Sequence, residues 1–248
     1  MKRFIGWVFF LAVSVLARAQ QFGGNPASVK WQQINTDTAR IIFPVEYRSN
    51  AERIASIIHK MQQNQTSQVG SHLRKVNIVV QNQSLVSNGY VGLAPFRSEL
   101  YINPPQNAFT LGAVNWSDML AVHEYRHVQQ FNNYRKGLSK IASFLFGEQG
   151  QLLANALSVP DWFFEGDAVY NETRLTPQGR GTLPSFLAAY QSLYLSGKKY
   201  SYQTLRNGSY RNYIPDHYAL GYLLVAYGRK KYGDGIWEKI TDAAVRFR

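Results

Sequence analysis

The sequence predicts an α+β protein in which a mixed sheet comes first and helices follow. Three observations carry this expectation. Strand signals crowd the chain before Pro104, the clearest being the β-branched run Val76-Asn77-Ile78-Val79-Val80. Pro104-Pro105 ends that texture, because proline removes a ladder donor. Beyond Ser117 the apolar residues recur at helical spacing. At 248 residues, 45% of them hydrophobic and 17% charged, the chain is long and apolar enough to bury a core without disulfides. No segment repeats at a fixed period, which excludes a solenoid or propeller within these residues.

Residues 1–19 read as an address. Lys2 and Arg3 form a basic start, Phe4 to Leu16 a mostly apolar run, and Ala17-Arg18-Ala19 a small-x-small signal, so a secretory leader is expected to be cleaved after Ala19. The run falls short of the roughly 20 apolar residues a span requires. No later stretch reaches that length either, so the mature chain, 20–248, is expected to carry no transmembrane segment. This places it in the periplasm, envelope or exterior of a bacterium. The mature chain divides in expectation into subdomains of about 28–135 and 136–248.

The elements follow in order. Val29 to Ile34 and Ala39 to Tyr47 form a hairpin across Asn35-Thr36-Asp37-Thr38. Pro44 assigns the second strand to an edge or a bulge. Asn50 caps a helix to about Gln62, with Ile54, Ile57, Ile58 and Met61 at helical spacing. Lys75 to Gln81 is a buried strand, and Gly89 to Leu93 and Glu99 to Asn103 are the fourth and fifth. Ser117 is the expected N-cap of a helix to about Tyr134. Gly137 to Leu157 is helical with breaks at Gly147 and Gly150. Asp161 to about Glu172, Pro184 to Leu195, Asp216 to Tyr232 and Asp234 onward complete the helices. The last of them meets no stop signal before Arg248, so the natural chain is expected to continue.

Composition narrows the chemistry. Cysteine is absent, which excludes disulfides, thiolate metal sites and cysteine nucleophiles. The net charge is +12, and loss of Lys2, Arg3 and Arg18 with the leader lowers it by three to +9. Arg174 to Arg248 holds twelve Lys and Arg against four acids, with ten of the 16 tyrosines. Basic and aromatic residues alternate through Lys198-Lys199-Tyr200-Ser201-Tyr202, a pattern that binds single-stranded nucleic acid. The leader argues against nucleic acid, and the segment reads as a solvated basic face over packed tyrosines. Gly179-Arg180-Gly181 reads as a loop, since no strand leads into it.

The chemistry concentrates in His123-Glu124-Tyr125-Arg126-His127, an HExxH. On a helix the two histidines, four apart, share one face and grip one zinc ion, with Glu124 beside it. A catalytic zinc needs a third ligand and an open position. Glu148, Glu165, Glu172 and His217 are candidates. Glu165 stands out within Trp162-Phe163-Phe164-Glu165-Gly166-Asp167-Ala168, because a packed helix holds a ligand more rigidly than the Gly-flanked surroundings of Glu148.

HExxH followed by a Trp-x-x-Glu-Gly-x-Ala helix resembles the gluzincin metallopeptidases of the peptidase-MA clan. The resemblance spans about residues 29–240 and implies a zincin-like fold, one zinc ion held by His123, His127 and Glu165, and peptide or protein substrates. Tyr218-Ala219-Leu220-Gly221 is similar to a Tyr-x-x-Gly of the zinc aminopeptidases, with Tyr213 a second candidate. Two departures are plain. The His127 to Glu165 spacing is longer than in the best-known members, so 137–158 reads as an inserted helical hairpin. The Gly-x-Met-Glu-Asn edge motif is missing, with Ser98 to Ile102 in its place, so aminopeptidase specificity does not carry over. Asn88-Gly89-Tyr90, Pro95 to Glu99 and HEYRHVQQF resemble secreted Bacteroidetes-type peptidase domains, which often precede a β-propeller; the resemblance implies one downstream.

On this reading Glu124 is the general base and Tyr218 the oxyanion donor, with Asp167, Asn171, Glu172 or Asp118 supporting the ligands. The strand near Glu99–Asn103 pairs with an extended substrate. The alternative is a catalytically idle zincin-fold module for binding or assembly in the envelope.

Overall fold

The computed structural model describes residues 24–63, 69–107 and 112–247. The expected leader therefore lies outside the described residues. The compact unit is Trp31–Arg248. It is α+β, with a mixed five-stranded sheet and, among the described residues, eight α-helices.

The first hairpin is β1 (Trp31–Asn35) and β2 (Ala39–Pro44), paired antiparallel from Asn35↔Arg40 to Trp31↔Pro44. Thr36 closes the turn, its hydroxyl accepting from Ala39 N at 3.0 Å. Pro44 marks neither an edge nor a bulge. β2 is interior, and its ladder with the next strand stops at Ile42, so no donor is needed at Pro44. A short 3-10 turn (Val45–Tyr47) replaces the strand expected to run to Tyr47 and leads into α1 (Arg48–Gln63), which buries Ala51, Ile54, Ile58 and Met61.

β3 (Val76–Gln81) runs parallel to β2, and β5 (Arg97–Tyr101) runs parallel to β3. β4 (Gly89–Gly92) pairs antiparallel with β5 and forms the outer edge, so the order is β1-β2-β3-β5-β4. β2 and β3 bury alternate residues, Ile41 and Phe43 with Val76, Ile78 and Val80, under α1 and the site helix. Each such aliphatic side chain contributes roughly 1.5–3 kcal/mol on burial.

The site helix is α2 (Trp116–Asn133). Its cap is Asn115 rather than Ser117: Asn115 Oδ1 accepts from Ser117 N at 3.0 Å and from Ser117 Oγ at 2.7 Å. Leu120, Tyr125 and Val128 pack on the sheet core. The opposite side of α2 is also buried, which brings polar residues between His123 and Asn133 under cover, where most of them find partners.

α3 (Gly137–Ser158) is the expected helical hairpin. It bends at Gly147, whose φ of 64° and ψ of −153° are not helical, and Gly150 lets the arms touch, since a Cβ there would lie 2.2 Å from Ala142 O. α4 (Asp161–Leu175), α5 (Pro184–Leu195), α6 (Tyr202–Asn207), α7 (His217–Tyr232) and α8 (Ile236–Val245) follow. The short α6 is absent from the sequence expectation, as six residues carry too little periodicity. A second apolar cluster joins Tyr134, Val159, Trp162, Phe163, Val225 and Val245.

α4 and α7 cross with backbone against backbone. A Cβ on Gly166 would lie 2.3 Å from Gly221 Cα, and one on Gly221 would lie 1.8 Å from Trp162 O. This contact explains both motif glycines. Glu165 precedes Gly166 and Tyr218 lies one turn before Gly221, so the crossing places the tyrosine beside the glutamate.

Candidate metal centre

α2 presents His123 and His127 on one face, and α4 brings Glu165 against them. The nitrogens His123 Nε2 and His127 Nε2 lie 3.2 Å apart. Glu165 Oε2 is 3.2 Å from the first and 3.4 Å from the second. Tetrahedral coordination with bonds of about 2.0–2.1 Å separates ligand atoms by about 3.3–3.4 Å, so this triangle has the dimensions of one face of a metal site. These three residues form a group able to hold a metal ion. The histidines are buried and Glu165 is partly exposed, which leaves an open side.

Gln130 sets the tautomer of His127, whereas His123 Nδ1 faces both the Glu172 carboxylate and, at 2.9 Å, Arg180 Nη2. Gln130 Nε2 donates to Phe164 O at 3.1 Å and to Asp167 Oδ2 at 3.0 Å. Its Oε1 is thereby left to accept from His127 Nδ1 at 2.8 Å, so the Nε2 lone pair of His127 faces the centre. His123 Nδ1 lies 3.0 Å from Glu172 Oε2. When Nε2 gives its lone pair to a cation, the proton sits on Nδ1 and Glu172 accepts it. Arg180 holds Glu172 in place through Nε at 2.6 Å and Nη2 at 3.0 Å. Asp167, wholly buried, accepts from Arg126 Nε at 2.7 Å and Arg229 Nη2 at 3.0 Å. A continuous chain therefore runs from α7 through Asp167 and Gln130 to His127.

Charge follows these contacts. Burial opposes ionisation of Glu165, but His127 and His123 outweigh it and hold the carboxyl well below the usual range. Burial likewise works against Glu172, and Arg180 and His123 bring it down to about 2. Burial disfavours the His123 imidazolium, yet the Glu165 and Glu172 carboxylates lift it to about 9. Glu124 is different. Burial pushes its carboxyl up, the imidazoles only partly offset this, and its Oε2 has no hydrogen-bond partner. Tyr218 is raised by burial and by Glu165, so its hydroxyl keeps its proton.

These groups line an open cleft of about 630 Å³, with Asn88, Gly89 and Tyr90 of the β4 edge on one wall and Tyr218 and Arg180 on another. Gly89 packs closely there: a Cβ would come within 2.7 Å of Glu124 Oε1 and would displace that side chain. The edge that borders the cleft is therefore β4. The expected Glu99–Asn103 strand is interior, because β5 is flanked by β3 and β4.

Several expected residues lie elsewhere or act otherwise. Glu148 is engaged by Arg74 and by Ala94 N at 2.8 Å, away from the histidines, and is not a ligand in this arrangement. Glu172 supports His123 instead of joining the triangle. His217 pairs with Asp216 at 3.2 Å and lines the cleft. Asp118 is taken by Arg53 at 2.6 Å. Asn171 is buried, with Nδ2 unpartnered. Tyr213 is 74% exposed, which leaves Tyr218 as the tyrosine of the cleft. Gln130, Arg180 and Arg229 are the residues that sequence reasoning missed. Gln130, three residues after His127, had a signal in its shared helix face; Arg180, in the loop-like Gly-Arg-Gly, had none.

Comparison with protein-family models, with curated proteins and with solved structures finds no match to this chain.

Proposed function

We propose that this chain is an exported zinc-dependent peptidase of zincin-like architecture. The observation that carries the reading is the triangle of His123 Nε2, His127 Nε2 and Glu165 Oε2 beside Glu124, whose Oε2 has no hydrogen-bond partner, in a cleft open to solvent. Two imidazoles and a carboxylate are a donor set suited to zinc. Bound there, zinc would supply a Lewis acid for a carbonyl oxygen and bring the pKa of a water molecule toward neutrality. Glu124, lifted by burial, takes a proton from the attacking water and returns it to the leaving amine. Tyr218, protonated and beside Glu165, donates to the developing oxyanion. An extended peptide adds to the outer edge of β4, one strand outward of the position the sequence indicates.

The same carboxylate argues against an idle binding module. A buried carboxyl whose Oε2 has no hydrogen-bond partner is costly to keep, and general-base chemistry supplies a reason for it. Glu124→Gln tests this. Peptide hydrolysis is expected to fall by about 10²–10⁴-fold while zinc content stays at one ion per chain and thermal stability is unchanged or higher. Undiminished hydrolysis rejects Glu124 as the base. Absence of zinc from folded wild-type protein rejects the metallopeptidase.

A further inference from the structure

The α3 hairpin is built inside out. Its covered positions are polar or small: Ser139 and Ser143 on the first arm, Gly150, Gln151, Ala154 and Asn155 on the second. Ser139 Oγ donates to Asn155 Oδ1 at 2.8 Å between the arms, and Gln151 Nε2 donates to Phe131 O at 2.8 Å. The outward positions are apolar. Leu138, Ile141, Phe144, Leu145 and Phe146 are all exposed on the first arm, Phe144 by 86% and Phe146 by 71%. Leu153 and Leu157 continue the surface on the second arm at 63% and 72%. Water selects the opposite arrangement, with apolar residues covered and polar ones outside. Small residues packed between helices, with aliphatic and aromatic side chains outward, are the arrangement lipid selects.

Charge and length identify the partner. Between Ile141 and Ser158 the only charged residue is Glu148, and it is paired with Arg74. Positive charge lies where the first arm leaves the body, with Arg135 and Lys140 both exposed there. An apolar face flanked by cations, on a chain whose net charge stays positive at +9 once the three leader cations are subtracted from +12, is complementary to an anionic bilayer surface. Each arm, at roughly 15 Å, is too short to cross a hydrocarbon core of about 30 Å. In agreement, no described helix is long and apolar enough to cross a membrane. We propose that residues 137–158 form a monotopic membrane-docking hairpin that seats this protein on one leaflet of an anionic bilayer. Leu152, Asn155 and Ala156 of the same hairpin line the cleft, so docking sets its mouth beside the lipid surface. The inference is independent of the metal, and so is its test.

Because the chain has no cysteine, a single Leu145→Cys in the full chain can carry an environment-sensitive fluorophore, with Lys60→Cys on α1 as the reference position. The probe at 145 is expected to shift to shorter wavelength with phosphatidylcholine vesicles containing about a third phosphatidylglycerol, and to be quenched by a lipid-borne quencher, while the probe at 60 does neither. Phe144→Asp with Phe146→Asp is expected to lower vesicle binding about tenfold or more without shifting the thermal midpoint, since both side chains are exposed. No shift at 145, or equal binding by the aspartate variant, overturns the proposal. Equal binding to vesicles of phosphatidylcholine alone overturns its anionic part. A concentration-dependent dimer that the aspartate variant abolishes, with no vesicle binding, assigns the face to a second copy instead. If the aspartate variant does not fold, the two probe positions still decide.

Discussion

Gln130 does two jobs with one amide. Its Nε2 is committed to Phe164 O and Asp167, and this alone fixes which end faces His127. Gln130→Leu removes the acceptor that keeps the proton on Nδ1, and zinc affinity is expected to fall about 10–100-fold in competition with a chromophoric chelator. Gln130→Glu keeps an acceptor and is expected to lose less. Proton and metal compete for the same nitrogens, which gives a second prediction. In chelator, the raised His123 pKa contributes stability that is fully present below 6.5 and lost as pH rises through about 9. Zinc binding strengthens over the same window, because the imidazoles no longer have to shed protons. The gap between thermal midpoints with zinc and with chelator should therefore widen from pH 6.5 to about 9. A constant gap removes the histidines from the metal site. His123 and His127 were legible in the sequence because four-residue spacing on a helix forces one face, and Glu124 through its place in the HExxH pattern. Arg180 was not, because its role depends on a loop returning to Glu172 on the neighbouring helix.

At the scale of elements, the α4–α7 crossing governs the site. Gly221→Ala puts a methyl group 1.8 Å from Trp162 O, and no side-chain rotation relieves contact with a carbonyl oxygen. The helices must separate, with an expected loss of about 1–3 kcal/mol or more in denaturant unfolding. Tyr218 withdraws from Glu165 with its helix, so hydrolysis should fall even where the protein remains folded. A substitution that leaves both stability and turnover intact contradicts the crossing. Helix positions were readable from apolar spacing, as with α1, and ends shifted by a residue or two as capping contacts decided them. Strand order was not readable. β4 and β5 are joined as a hairpin, and no local pattern says which of the two inserts beside β3; the parallel β3–β5 pairing decides it. That is why the sequence alone points to β5 as the sheet edge, where the structure has β4. The inverted polarity of α3 also hid in plain view, since a run of leucines and phenylalanines reads as core until burial is known.

At the scale of the whole molecule, buried and half-buried carboxylates are expected to make the fold acid-sensitive. Glu172, Asp167 and Glu99 each face burial that works against ionisation, and each is held down by a cationic or hydrogen-bonding partner: Arg180, Arg126 and, for Glu99, Tyr90 with Arg97. Their folded pKa values lie below the unfolded ones, so the stability they confer is present above about 4.5 and is lost as pH falls toward about 2. Denaturant midpoints should be nearly level above about pH 5 and drop steeply below 4. Glu124 has the opposite sign and softens the drop, so Glu124→Gln should steepen it. The position of β4 as the outer edge strand has a consequence of another kind. A chain that bonds to that edge must be fully extended there, and a helix or a compact domain offers no such segment. For an intact protein target, the speed of cutting would then be governed by how often the target opens a stretch of its own backbone, and only after that by the chemistry at Glu124. Misfolded and loosely folded proteins would be consumed first, sorted by their own instability rather than by their sequence.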